Sequence, residues 1–371
     1  MKKRLFSFFL CAAMLLGLSG CGSPPSSASP DANNPPSTGE PSNASERTEP
    51  LVLRFGATGS GNEDDNQWLT NREIIAQVEE ETNGMITFEY YPSQQLGSAT
   101  SMLDQVLMGT LDIAALQPNV AAAIWPEFNV LVFPFAYPDL QVYWDSMLDN
   151  TMYDLLNGVT AGKAVYLGVC SASYRGCQNN QHPIRSASDL QGLKFRVQAG
   201  EIYADIFAAM GASTASIAAG ELYAALQQGV VNAEENPVGY CYDNGIYECA
   251  KYATELNCVN SNAQLFMATE TWNKLTDSEK EIFQRACREH PVVAQTEYNK
   301  RLDEFYQKFT DAGIEVIRNS ELTEEERQSF QDAVMPVWDK YIQNMDPDFY
   351  AKWCESMKAA WEKNGYTWTM S

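Results

Sequence analysis

Apolar side chains recur at two spacings along the chain, and the spacings separate strands from helices. LVLRFGA (51–57), ITFEYYP (86–92) and LDIAAL (111–116) are short, apolar and β-prone. Between them, residues 67–82 carry Trp68, Leu69, Ile74, Ile75 and Val78 at helical spacing, and Asn83-Gly84 ends that stripe. Residues 98–110 read as a second helix. Strand alternating with helix predicts a parallel α/β sheet. The pattern restarts at AVYLGVCSA (164–172) and continues through a strand KFRV, helix-like 200–210 and 220–228, and VVNAEENP (230–237), which Pro237 stops. QLFMAT (264–269) reads as one more strand. Two α/β lobes are therefore expected.

The stretch GLKFRVQAG (192–200) raises a question of chemistry. Leu193, Phe195 and Val197 would share one face of a strand, and Lys194, Arg196 and Gln198 the other. An arginine in mid-strand points either to solvent or to something anionic.

The last third reads as helix. Thr276 with Glu279, and Thr323 with Glu326, have capping-box spacing. Helical periodicity runs from about 277 to 311 and ends at Gly313, long enough to bridge two lobes. Residues 324–366 are also helical in pattern, with Trp338, Tyr341, Trp353 and Trp361 as packing residues. No repeat of fixed period occurs.

Two segments stand outside this pattern. Residues 1–20 join a basic start (Lys2, Lys3, Arg4) to a short apolar run, which is a secretory signal. Residues 21–50 hold seven prolines and many serines, too polar to bury a core, and read as a disordered tether. The remaining chain divides into a first lobe (51–172 and 262–305) and a second lobe (173–261 and 306–371).

The chain carries 25 basic and 48 acidic residues, a net charge of −23. That balance opposes nucleic-acid binding, which needs basic surface, yet leaves room for a local cationic pocket. Seven cysteines follow residue 21: Cys170, Cys177, Cys241, Cys249, Cys258, Cys287 and Cys354. The odd number implies at least one free thiol or an intermolecular pair, and 241, 249 and 258 are close enough in sequence for one bridge. With two histidines (His182 and His290) and no C-x-x-C, neither metal nor cofactor is expected. No G-x-G-x-x-G, Walker A or G-x-S-x-G motif occurs. No catalytic constellation emerges, so an enzyme is not expected.

Three blocks together carry a family likeness: YPSQQLGSATSMLDQVLMGTLDIAAL (91–116), SYRGCQNNQHPIRSASDLQGLKFRV (173–197) and GASTASIAAGELYAALQQGVVNAEENP (211–237). In order and spacing they resemble the substrate-binding proteins of tripartite ATP-independent periplasmic (TRAP) transporters, of the dicarboxylate-binding DctP type. The residues LSGC before and at Cys21 likewise resemble a lipoprotein lipobox, implying lipidation of Cys21. The resemblance implies an α/β, two-lobed, periplasmic-binding-protein-like (type II) fold with a long interlobe helix. It implies capture of a small organic acid between the lobes. It also implies delivery to a permease of small and large membrane subunits, by a lipid-anchored extracytoplasmic protein acting as a monomer.

The family's carboxylate-binding arginine matches Arg196, a second arginine matches Arg175, and the asparagine of its ENP element matches Asn236. Gln117 and Tyr174 are further candidates for the pocket. Ala219 stands where the family has an aromatic residue, which implies a more open pocket floor. The family's D-G-Q before ENP is here Asn232, Ala233 and Glu234. Two other readings share part of this picture: a ligand-sensing module for a receptor kinase, and a secreted hydrolase.

Overall fold

The computed structural model describes residues 47–369 apart from Asp64. The expected signal segment, Cys21 and the tether as far as residue 46 lie outside the described residues. Within the stretch expected to be tether, Arg47 is fastened down. Its Nε donates to Glu279 Oε1 at 2.7 Å and its Nη2 to Lys274 O at 2.7 Å.

The chain builds two mixed sheets. β1 (Leu51–Ala57), α1 (Asn66–Glu81), β2 (Ile86–Tyr91), α2 (Ala99–Leu107) and β3 (Ile113–Leu116) form the expected alternation, and these three strands are parallel. α3 (Pro118–Ala122), α4 (Leu140–Met147) and α5 (Asn150–Thr160) then lead to the long β4 (Ala164–Tyr174). β5 (Gly176–Asn179), β6 (Lys194–Val197), α6 (Glu201–Ala209), β7 (Ser213–Ser216), α7 (Leu222–Gln227), β8 (Ala233–Asn236), α8 (Val238–Asp243) and β9 (Tyr252–Thr254) make most of the second lobe. β10 (Asn260–Ala268) returns to the first sheet, followed by α9 (Thr269–Asn273) and α10 (Asp277–Asp311). β11 (Glu315–Ile317), α11 (Glu324–Ile342) and α12 (Pro347–Lys363) complete the chain.

The first sheet has strand order β2-β1-β3-β10-β4, and the second β11-β9-β5-β8-β6-β7. β10 runs antiparallel to both β3 and β4, so the first sheet is not wholly parallel. Two strand connections cross between the sheets. β4 passes into β5 through Arg175, and β9 passes into β10 through residues 255–259. The crossings are bonded to each other, Arg175 N donating to Val259 O at 3.1 Å. Gly176 lies close against the Thr254 carbonyl of β9: a Cβ there would lie 2.9 Å from Thr254 O.

α10 makes the third connection. Its start is closed by the expected capping box, Thr276 with Glu279. Its first half packs on α1 and β4, its second on α8 and β11. Phe283 and Cys287 belong to the core beneath the first sheet, Phe305 and Phe309 to that of the second.

The C-terminal helical pattern breaks at Pro347, which begins α12. α11 packs on α6 of the second lobe, whereas α12 packs on α4 and α5 of the first. The expected second lobe ran to residue 371, but the helices after α10 serve both sides. Trp338, Tyr341, Trp353 and Trp361 are buried as expected. The Trp338 and Trp353 rings lie 4.6 and 5.8 Å from Phe133. Their indole surface supplies a large share of the apolar burial that joins these helices to the body. All seven cysteines of the described residues are free thiols. Among the described residues no helix is long and apolar enough to cross a membrane.

Candidate functional site

Parallel strands collect chemistry at their carboxyl ends, where loops and helix N-termini converge. Here the carboxyl ends of β1, β3, β6 and β8 open onto one cavity of about 240 Å³. Thr58, Gln67, Gln117 and Asn119 line it from the first lobe, and Arg196, Gln198, Ala219 and Asn236 from the second. Ser173, Arg175 and Ser261 line it at the crossings. The N-terminal ends of α1 and α2 also face it, through Asn66 and through Ser98 and Ala99. Helix N-termini favour negative charge.

Arg196 is only 2 % exposed. The sequence pattern left solvent open as its destination, but Phe195, Arg196 and Val197 of β6 are all buried, so the side chains on both faces of the strand are covered there. Nε donates to Ile217 O at 2.9 Å. Among the described residues, no carboxylate comes within ion-pair distance of this guanidinium. Burial pulls its proton affinity below the ordinary arginine value, a loss that the fields of Glu235 and Glu234 only partly offset. Arginine keeps its charge even so. A buried cation without a paired anion is costly, and this one lines the cavity.

Arg175 is 5 % exposed and differently engaged. Its Nε donates to Glu235 Oε2, and its Nη2 reaches Glu235 Oε1 at 3.0 Å, Glu235 O at 2.8 Å and Asn236 Oδ1 at 2.7 Å. Nη1 donates to Ser261 Oγ at 3.1 Å. Burial alone would lower its proton affinity; the Glu235 carboxylate outweighs that and holds it above the usual value. Arg175 is thus a buried ion-pair member at the hinge that also touches the cavity.

Asn236 sits between the charges. It accepts from Arg175, and its Nδ2 donates to Glu234 Oε2 at 2.5 Å. Gln117 Nε2 donates to Thr58 Oγ1 at 2.8 Å, which orients both side chains at the wall. Ala219 opens a short 3-10 turn, Ala219–Glu221, and also lines the cavity.

Tyr174 is not among the cavity-lining residues. Alternation along β4 turns Ser171 and Ser173 to the cavity and Tyr174 away. Its hydroxyl donates to Tyr137 O at 2.6 Å. Trp125 and Phe133 are likewise core residues.

Several lining residues carried no signal of their own in the sequence. Asp65 accepts from Trp68 N at 2.8 Å and so caps α1. Asn119 reaches across the cleft and donates to Ala199 O. The side-chain oxygens of Asn66 and Asn119 are buried without a hydrogen-bond partner, as is Gln198 Nε2. Unsatisfied buried polar atoms cost stability unless something completes them. Tyr240 and Tyr298 add hydroxyls from α8 and α10.

Comparison with known proteins agrees with this architecture. The profile described as bacterial extracellular solute-binding protein, family 7 (DctP), matches residues 60–344. The chain belongs to that family. The C4-dicarboxylate-binding periplasmic protein DctP of Vibrio cholerae is 26% identical over 271 residues, covering 73% of this chain and 80% of its own. A TRAP periplasmic solute-binding protein from Sulfitobacter sp. NAS-14.1 with bound β-D-galacturonate superposes with TM-score 0.74 at 23% identity, covering 81% of this chain and 98% of that one. One from Shewanella oneidensis with bound succinate gives 0.75 at 22%, covering 84% and 99%. At these identities the two structures speak for the fold alone. The DctP fold is thus the two-lobed α/β architecture that the resemblance implied, with α10 as its long helix. The profile takes in Arg175, Arg196, Gln117, Ala219 and Asn236.

Proposed function

We propose that this DctP-family chain captures a small organic acid between its lobes and hands it to a TRAP-type permease of small and large membrane subunits. The observation that carries the reading is Arg196: a guanidinium buried in the cavity wall without an ion-pair partner among the described residues. A solute carboxylate would supply the missing anion, and the planar fork would meet it with two parallel hydrogen bonds. Arg175, Asn236, Gln117 and Ala219 complete the pocket in this reading. The relatives that bind C4-dicarboxylate, galacturonate and succinate support an organic acid as cargo.

Capture proceeds by closure about the two crossing strands and α10, with the bound acid favouring the closed state. The role is transport and not catalysis. Lipidation at Cys21 would hold the protein at the outer face of the membrane, its Ser/Pro-rich segment acting as the tether.

A thermal-shift panel of organic acids, sugar acids, amino acids and neutral sugars tests the reading. A solute at 100 times its dissociation constant adds about 2.7 kcal/mol of stability. An acid is expected to raise Tm. A shift produced only by neutral sugars or cations would overturn the proposal.

A further inference from the structure

Behind the anion site lies a second ionisable group that the capture reading does not use. Glu234 is 0 % exposed. In the sheet it is the cross-strand partner of Arg196 on β6 and of Gln178 on β5, so these side chains share one face. Yet no ion pair joins Glu234 to Arg196 or to any other cation among the described residues. Its carboxyl is held by neutral groups. Asn236 Nδ2 donates to Oε2 at 2.5 Å and Cys241 Sγ to Oε1 at 3.2 Å. The Gln178 amide lies against Oε1 as well; with its oxygen and nitrogen exchanged, the orientation its surroundings favour, it would donate to Oε1 and to Gly176 O at 3.1 Å.

We infer that Glu234 is a proton site coupled to solute capture: a carboxylate seated on Arg196 raises the share of Glu234 that carries a proton. The inference rests on the organic-acid reading above and specifies how that site is regulated.

Charge decides the sign. The charged and titratable groups around Glu234 are Arg196 from β6, Arg175 from the crossing, and Tyr240 and Cys241 from α8. Glu235 on β8 and Cys177 on β5 project to the opposite face of the sheet but act on it through their fields. Arg175 is neutralised by Glu235, which leaves Arg196 as the local positive charge. Burial pushes the Glu234 carboxyl up to about 7, against the opposing pull of its hydrogen bonds with Asn236 and Cys241. Both cysteine thiols are pushed upward by burial, so they stay protonated through this range.

An arriving carboxylate adds a negative charge beside Glu234 and raises its affinity for a proton further. By linkage, the acid binds tightest where Glu234 is protonated and more weakly as pH rises through 7. Protonation also relieves Glu234 of the charge that competes with the solute for the Asn236 amide. The carboxyl of D-glucuronate is ionised throughout this range; the second carboxyl of succinate still gains protons at the acid end, a share that the E234Q comparison removes.

Titration calorimetry with D-glucuronate and with succinate, on the full chain, tests this from about pH 6 to about pH 8.5. Affinity is expected to fall about tenfold over that range, from the Coulomb interaction of two carboxylates in a partly screened site. Binding heats in two buffers of different ionisation enthalpy should report uptake of a fraction of a proton near pH 7. E234Q keeps the size and resembles the protonated acid, with one acceptor and one donor group and nothing to ionise, and should bind D-glucuronate with no pH slope and no Glu234-linked proton uptake. That comparison removes the share of any other titrating group. Tight binding with a flat profile in the wild type, or an unchanged slope in E234Q, overturns the inference while leaving organic-acid capture intact. No binding by either probe, and no shift with any acid of the thermal panel, overturns both.

Discussion

The wall of the cavity built from the second sheet carries Arg196, with Arg175 beside it at the crossing; the first-sheet wall presents carboxamides, hydroxyls and Asp65. Both guanidinium groups therefore sit at one end. Arg175 spends most of its donors on Glu235 and Asn236, while Arg196 spends one on a backbone carbonyl. The contrast separates anchoring from shaping. One end supplies charge, held rigidly by sheet register and a buried ion pair. The other supplies mostly neutral carboxamides and hydroxyls that fit the rest of the solute, its one carboxylate named above, Asp65, being engaged in the cap of α1.

The largest effect should come from breaking the rigid end. Glu235→Ala leaves Arg175 buried without its carboxylate and should cost about 3–5 kcal/mol in urea unfolding. A loss well under 1 kcal/mol would mean that Arg175 is not held as the structure has it.

The next effect concerns Glu234. Its carboxyl is raised from 4.5 to about 7 on folding. Stability from the protonated form is complete below the unfolded value and is lost as pH rises through the folded one. The wild type should therefore lose roughly 3 kcal/mol relative to E234Q between those two pH values. Equal pH profiles would remove Glu234 from the charged end.

Arg196→Ala should weaken binding of the acid by about 1.5–3 kcal/mol, the worth of hydrogen bonds to a charged group. Calorimetry reads this, and the free protein should unfold no more easily than wild type, because a buried unpaired charge is gone. Unchanged affinity would move the anchor elsewhere.

The smallest effect belongs to the neutral wall. Asn119→Ala removes the bond to Ala199 O across the cleft and should cost about 0.5–1.5 kcal/mol in affinity. A larger loss than Arg196→Ala causes would invert the comparison between the walls.

Much of the frame was legible from local pattern. Both capping boxes close helices where spacing put them, and β1, α1, β2 and β6 begin and end within a residue of expectation. The helices between 118 and 160 were not read. α3 and α4 are short and bury consecutive residues, which blurs the helical period, whereas α5 buries Met152, Leu156 and Thr160 on one face. β5, β7, β9 and β11 are three or four residues long and acquire strand geometry only from neighbours in the sheet. The family blocks pointed to Arg196 and Asn236. The commitment of Arg175 to Glu235 was invisible, since the partners are 60 residues apart and meet only where β5 pairs with β8.

Residue order alone was enough for the alternation of strand and helix, the long helix after Thr276, and the placing of an arginine on a strand. Those follow from periodicity, caps and side-chain type, which act over a few neighbours. Folding in three dimensions settled that β6 lies inside its sheet, that one arginine is paired and the other is not, and that Glu234 stands beside the unpaired one. Burial and Coulomb interaction depend on distances between segments far apart in sequence, and only packing sets those distances.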